Sequence, residues 1–173
     1  MRGVLLLLLG ALLLAGCDPR GGTKIGDAAP GFSASDISGE QFSLNRMHGK
    51  TVVLYFWRTS CCSDSLKPLE PFYRANRNSL EIVAVNEGDT SEVVVPYARN
   101  NGLTFRLVTD EHSRLFKKYR VFGFPTIFVI DRQGVIREKI LGNIQTAQLE
   151  KLIRRHLDIQ KEAEESHRET PRR

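Results

Sequence analysis

Cysteine, methionine and tryptophan are scarce here: three, two and one among 173 residues. Three thiols are too few for the dense cross-linking that holds small secreted scaffolds together. Aromatic residues make up 8% and nowhere interleave with basic ones. That excludes a nucleic-acid surface, and a net charge of +5 supports at most a mild attraction to anionic lipid headgroups. Only one long apolar run exists, Val4 to Ala15, and it falls short of the ~20 residues that span a bilayer. No internal repeat is visible. What remains, 41% hydrophobic and 26% charged, is ordinary for a soluble globular chain with one sizeable core.

The apolar run follows Met1-Arg2 and reads as the core of a secretory signal. Its end, Leu14-Ala15-Gly16-Cys17, resembles the bacterial lipoprotein box, in which the cysteine becomes the lipidated first residue. Residues 1–16 are therefore expected to be a signal peptide and Cys17 a lipid anchor. Asp18 resembles the residue that favours inner-membrane retention in enterobacterial lipoproteins. The expected location is the bacterial cell envelope, where disulfide chemistry is permitted. Residues 17–27, rich in Gly and charge, read as a flexible tether, residues 28–157 as the folded domain, and residues 158–173 as a charged, disordered tail.

Within the domain, Phe32–Asp36 and Gln41–Leu44 flank a turn and predict a hairpin. Thr51–Trp57 is too apolar to be anything but a buried strand. A helical spacing follows it, with Pro68 and Pro71 expected to kink the helix on its way to about Asn78. Glu81–Asn86 reads as a second buried strand, Thr90–Asn101 as a helix closed by Gly102, and Phe105–Thr109 as a short strand. A short helix over Asp110–Tyr119 comes next. Thr126–Ile130 and Val135–Leu141 then form strands joined by the turn Asp131-Arg132-Gln133-Gly134, and a last helix covers Thr146–Leu157. Strands alternating with helices, then a hairpin and a helix, make an α/β fold with a mixed central sheet. His48 and His112 sit in turn or helix-start positions that suit solvated side chains.

The chemistry-bearing stretch is Trp57-Arg58-Thr59-Ser60-Cys61-Cys62-Ser63-Asp64, where the central strand hands over to a helix. Unpaired N–H groups and the dipole at a helix start favour a thiolate, so this placement suits reactive cysteines better than buried fillers. Pro125 directly precedes an apolar strand. A proline there is most simply explained by a tight turn, of the kind that can hold a cis peptide.

Two blocks together are similar to the TlpA/ResA-type thioredoxin-like proteins of the AhpC/TSA–redoxin superfamily. One runs from Phe32-Ser33 through Gly49-Lys50 to Val52–Trp57, the other from Gly123-Phe124-Pro125-Thr126 to Phe128–Gly134. The resemblance implies a thioredoxin-like fold with an N-terminal hairpin extension, and an envelope-anchored thiol–disulfide oxidoreductase. It implies exported thiol- or disulfide-containing clients, apocytochrome c among them, and an upstream thiol donor, with no cofactor. It also implies that Pro125 is cis and faces the reactive cysteine, and that an acidic residue of the Glu87-Gly88-Asp89 loop, here Asp89, lies near the site.

The chain departs from the family pattern Phe-Trp-x-x-Trp-Cys-x-x-Cys. Ser60 replaces the second Trp, Cys61 matches the first Cys, and Asp64 stands where the resolving Cys belongs. Adjacent Cys62 is a poor substitute, because neighbouring Cα atoms lie ~3.8 Å apart whereas disulfides usually need ~4.4–6.8 Å. Three readings stay open on these residues. One is a thiol enzyme working through Cys61, with Cys62 as a weak second thiol. A second is a peroxidase using Thr59-x-x-Cys62, and the third a redox-inactive partner-binding module. Cu(I) binding by the two thiols lacks a Met or His at ligand spacing.

Overall fold

The computed structural model describes residues 23–169. Cys17 and the expected signal peptide lie outside the described residues. Two short strands, β1 (Ser33–Ser35) and β2 (Gln41–Ser43), form an antiparallel hairpin of their own. The main sheet has five strands: β3 (Thr51–Trp57), β4 (Leu80–Glu87), β5 (Arg106–Asp110), β6 (Thr126–Ile130) and β7 (Ile136–Leu141). Their spatial order is β5-β4-β3-β6-β7, with β3, β4 and β5 parallel and β6 and β7 antiparallel. This is the thioredoxin-like arrangement, with the hairpin added at its N-terminus.

Every residue of β3, β4 and β6 is buried, because both sheet faces are covered. The two-residue period divides β3 between two cores. Val53, Tyr55 and Trp57 pack with Leu66, in the segment between Cys62 and Glu70, and with Phe72, Val94, Leu149 and Ile153 from the helices on one face. Val52, Leu54 and Phe56 pack on the other face with Phe32 and Phe42 of the hairpin region, Tyr119 and Val121. The Tyr119 hydroxyl donates to the Pro30 carbonyl at 2.7 Å, fixing the segment before β1 against this second core.

The helices are α1 (Thr59–Cys62), α2 (Glu70–Asn76), α3 (Ser91–Asn101), α4 (Arg114–Lys118) and α5 (Thr146–Glu169). Thr90 and left-handed Gly102 bound α3 where the sequence places its ends. The Asp131 carboxylate accepts the Gln133 and Val135 N–H groups, shaping the turn between β6 and β7.

Four expectations need correction. The helix after β3 is not continuous. α1 lasts four residues, two 3-10 turns (Ser63–Ser65 and Lys67–Leu69) follow, and α2 starts only at Glu70. Cys62 leaves helical geometry at φ −142°, ψ 23°, and Pro68 and Pro71 each occupy a first-turn position, where their missing N–H is tolerated. The short helix after β5 is shorter than the sequence predicts: Asp110 completes β5, and α4 covers only Arg114–Lys118. Residues 23–27 are not a free tether. Gly26 N–H donates to the Ile136 carbonyl (2.8 Å), Ile136 N–H donates to the Asp27 carbonyl (2.9 Å), and Ala28 bridges Val135. This covers the edge of β7. Finally, the last helix does not stop at Leu157, and residues 158–169 are helical where a disordered tail is expected. It runs to Glu169, through Ala, Glu, Lys and Gln, which favour helix without needing an apolar stripe.

Candidate active site

β3 delivers its last residue to the edge of the molecule at the C-terminal ends of the parallel strands. Arg58 is still extended (φ −132°, ψ 149°), and its carbonyl accepts the N–H groups of Cys61 (3.4 Å) and Cys62 (3.2 Å). That single carbonyl folds the chain back into the turn that carries both thiols. Cys61 is exposed, with Sγ 4.0 Å from the same carbonyl. Cys62 is 5% exposed and belongs to the core cluster with Tyr55, Trp57 and Leu66. Both are free thiols. Burial, reinforced by a hydrogen bond to Cys61, pushes the Cys62 thiol up to about 12. At neutral pH Cys62 is therefore a neutral donor beside Cys61.

The turn is held from below and from the side. Ser65 Oγ donates to the Cys62 carbonyl at 2.6 Å and meets the Tyr55 hydroxyl at 2.8 Å. Tyr97 of α3 packs on Trp57, centroids 4.8 Å apart, and its hydroxyl donates to the Ser63 carbonyl. Asp64 lies exposed in the 3-10 turn after Cys62.

Asp89 follows Gly88, whose φ of +90° turns the chain at the end of β4. Its Oδ2 accepts the Thr59 hydroxyl at 2.7 Å and the Thr59 N–H at 3.3 Å. Partial burial alone would raise this carboxyl. The Thr59 hydrogen bonds and the Arg58 charge outweigh it and hold the group below the usual carboxylate range. Asp89 thus caps α1 as a bound carboxylate. Its hydrogen bonds to the thiol-bearing turn are those to Thr59, whose hydroxyl is thereby committed.

The loop before β6 carries a cis Phe124-Pro125 bond. The antiparallel register pairs Phe56 with Thr126, so Pro125 and Phe124 come level with Trp57 and Arg58 at the mouth of the turn. The Arg58 guanidinium lies 4.8 Å over the Phe124 ring, which in turn stacks on Phe116 at 5.5 Å. The structure therefore brings Cys61, Cys62 and the Pro125 loop to one end of β3.

Sequence reading missed three residues here. Arg58 Nε donates to Glu87 Oε2 at 2.6 Å, Nη2 pairs with the same oxygen, and Ser113 Oγ donates to Glu87 Oε1 at 2.7 Å. Glu87 lay in the loop from which Asp89 was singled out, and Arg58 lay inside the thiol motif. Only the β3–β4 pairing shows that they meet. Nothing in the sequence marks Ser113, which sits left-handed (φ 54°) at the start of α4.

Residues 25–139 match the model of the AhpC/TSA family. The chain is 34% identical over 139 residues to the thiol-disulfide oxidoreductase ResA of Geobacillus kaustophilus, covering 78% of this chain and 76% of that one. It is 33% identical over 134 residues to the thioredoxin-like protein YneN of Bacillus subtilis, covering 75% and 78%. Among solved structures, StoA from Bacillus subtilis superposes with a TM-score of 0.61 at 30% identity, covering 70% of this chain and 94% of that one. A thiol:disulfide interchange protein of the thioredoxin family from Chlorobium tepidum shares the fold, with a TM-score of 0.70 at 21% identity over 78% and 98% of the two chains. The fold agrees with these matches, and the chain belongs to the AhpC/TSA family as a ResA-like protein of thioredoxin fold.

Proposed function

We propose that this chain is a lipid-anchored thiol–disulfide oxidoreductase that acts on exported proteins through one nucleophile, Cys61. The observation that carries the reading is the unequal exposure of the two thiols, one open and one buried, at the end of β3 that the cis-proline loop also reaches. The Cys61 thiolate attacks one sulfur of a client disulfide. A Cys61–client mixed disulfide forms, and the other client sulfur leaves as a thiolate. With Asp64 at the resolving position, release needs an outside thiol. That thiol attacks the Cys61 sulfur's partner, returns Cys61 as thiolate and is itself oxidised into the new disulfide.

The relatives' name, thiol-disulfide oxidoreductase, supports the reaction class. The Leu14-Ala15-Gly16-Cys17 box supports an anchor at Cys17 and a site facing the periplasm or the outer side of the cytoplasmic membrane. Apocytochrome c is one client class that fits such a location.

Peroxidase chemistry through Thr59 and Cys62 fits the geometry poorly. The Thr59 hydroxyl donates to Asp89, and Cys62 is buried and protonated. Trapping tests the proposal: alkylated extracts of cells carrying the protein should yield disulfide-linked adducts that vanish with Cys61→Ala and persist with Cys62→Ala. Cells whose phenotype survives a Cys61→Ala, Cys62→Ala double replacement would show a binding module instead.

A further inference from the structure

We propose that the face built from residues 23–29 and 131–139 docks on anionic headgroups of the bilayer that holds Cys17, with Ile25 entering the interface. This rests on the lipid anchor at Cys17 and names the surface by which the anchored domain meets the membrane, and hence which way Cys61 points.

Position carries the first part of the case. Lys139 Nζ donates to the Thr23 carbonyl at 3.2 Å, Gly26 N–H to the Ile136 carbonyl at 2.8 Å, and Ala29 N–H to the Gly134 carbonyl at 2.8 Å. Residues 23–29 are therefore fixed to the β7 side of the sheet. Six chain steps separate Cys17 from Thr23, and at ~3.6 Å each they span at most about 22 Å. An anchored Cys17 keeps the β7 side within that reach of the lipid.

Composition carries the second part. Ile25, two residues past Thr23, is 61% exposed. Around it the bases Lys24, Arg132, Arg137 and Lys139 meet the acids Asp27 and Asp131, an excess of two positive charges. Arg137 bonds the buried Asp131 at 2.6 Å and still keeps 47% of its side chain exposed. Lys24 is exposed, and Asp27 Oδ2 accepts its backbone N–H at 3.0 Å. Glu138, the acid within β7, is taken by Arg155 and His156 of α5. An open apolar side chain among bases suits an anionic interface, where it leaves water as the bases meet phosphates.

The register then sets the direction of the site. Ile136 pairs with Ile130, and Ile130 with Val52 near the start of β3. Cys61 follows the other end of that seven-residue strand, roughly 20 Å away. A domain docked on this face holds its open thiol on the side away from the lipid, toward dissolved clients.

The test places indoles on the two ends. The full chain, purified from an expressing bacterium, is reconstituted into vesicles of phosphatidylglycerol and phosphatidylcholine with brominated acyl chains, which quench nearby indoles. Ile25→Trp reports the docking face. Val93→Trp, near the start of α3 and 46% exposed, reports the Cys61 end, and buried Trp57 gives the same background in both.

Ile25→Trp should lose most of its added emission and Val93→Trp little. Adding Lys24→Gln to Ile25→Trp should lower the docked-to-undocked ratio roughly fivefold, and vesicles of phosphatidylcholine alone should lower it further. Equal quenching at the two positions, in chains that float with the vesicles, overturns the docking face and leaves the anchor standing. A blue-shifted but unquenched Ile25→Trp also overturns it and gives the face to a second copy of the chain. Chains left behind when the vesicles float overturn the anchor at Cys17 itself.

Discussion

Cys61 and Cys62 are covalent neighbours in opposite environments. One is open at the end of β3 that the cis-proline loop also reaches. The other lies under the sheet's first core, protonated and packed against Tyr55 and Leu66. One carbonyl, that of Arg58, accepts both N–H groups, so the difference arises from the turn and not from separate elements. The lesson is that adjacency need not make a working pair of thiols. In this turn it makes one open thiol, the proposed nucleophile, and one buried packing residue.

Swapping the roles is the strongest way to break that contrast. Cys61→Ala should lower disulfide-exchange rates by more than 100-fold, since no other exposed thiol exists among the described residues. Cys62→Ala should leave them within a few-fold, as followed by the release of a chromogenic thiol. Comparable losses in both variants would erase the distinction.

A smaller effect is thermodynamic. Cys62→Ala removes a buried sulfur and should cost about 1–2 kcal/mol in a denaturant titration. The fold raises the Cys62 pKa, so the folded chain holds that proton more tightly than the unfolded one. Its contribution is intact below the ordinary thiol value of 9.0 and is lost as pH climbs toward about 12. The wild type should therefore lose stability across that window, and Cys62→Ala should lack this part of the loss.

Asp89 sharpens the comparison from the acid side. Its pKa is depressed in the fold, so its contribution is present above the ordinary 3.8 and lost as pH falls below it. Asp89→Ala should cost about 1 kcal/mol at neutral pH through loss of the cap and remove that acid-dependent step. Exchange through Cys61 should slow only modestly. The smallest effect belongs to Ser113→Ala, which withdraws one hydrogen bond from Glu87 and should cost about 0.5–1.5 kcal/mol.

Much of this fold was legible because β3, β4 and β6 are short apolar runs bounded by turn residues, and such runs have few alternatives. Gly102 and Asp131 marked their helix end and turn through backbone needs that any sequence shows locally. The broken helix after Cys62 was only half legible. Pro68 and Pro71 announce a disturbance, but whether it is a kink or a change to 3-10 geometry depends on Ser65 and Tyr97 holding the turn. α5 outran its apolar stripe because local propensity sustains its last turns. The segment 23–27 looked free because nothing in its composition reveals the edge of β7 it covers. The Arg58–Glu87–Ser113 set was illegible for the same reason: its members join only once β4 and α4 are in place.

The most direct test is to map the site of a trapped adduct. The folded protein should be reacted with a small uncharged disulfide at neutral pH, digested, and analysed by mass spectrometry before and after addition of a second thiol. The account predicts one adduct, on Cys61, that the second thiol removes completely. An adduct on Cys62, or a stable Cys61–Cys62 disulfide in its place, would contradict it.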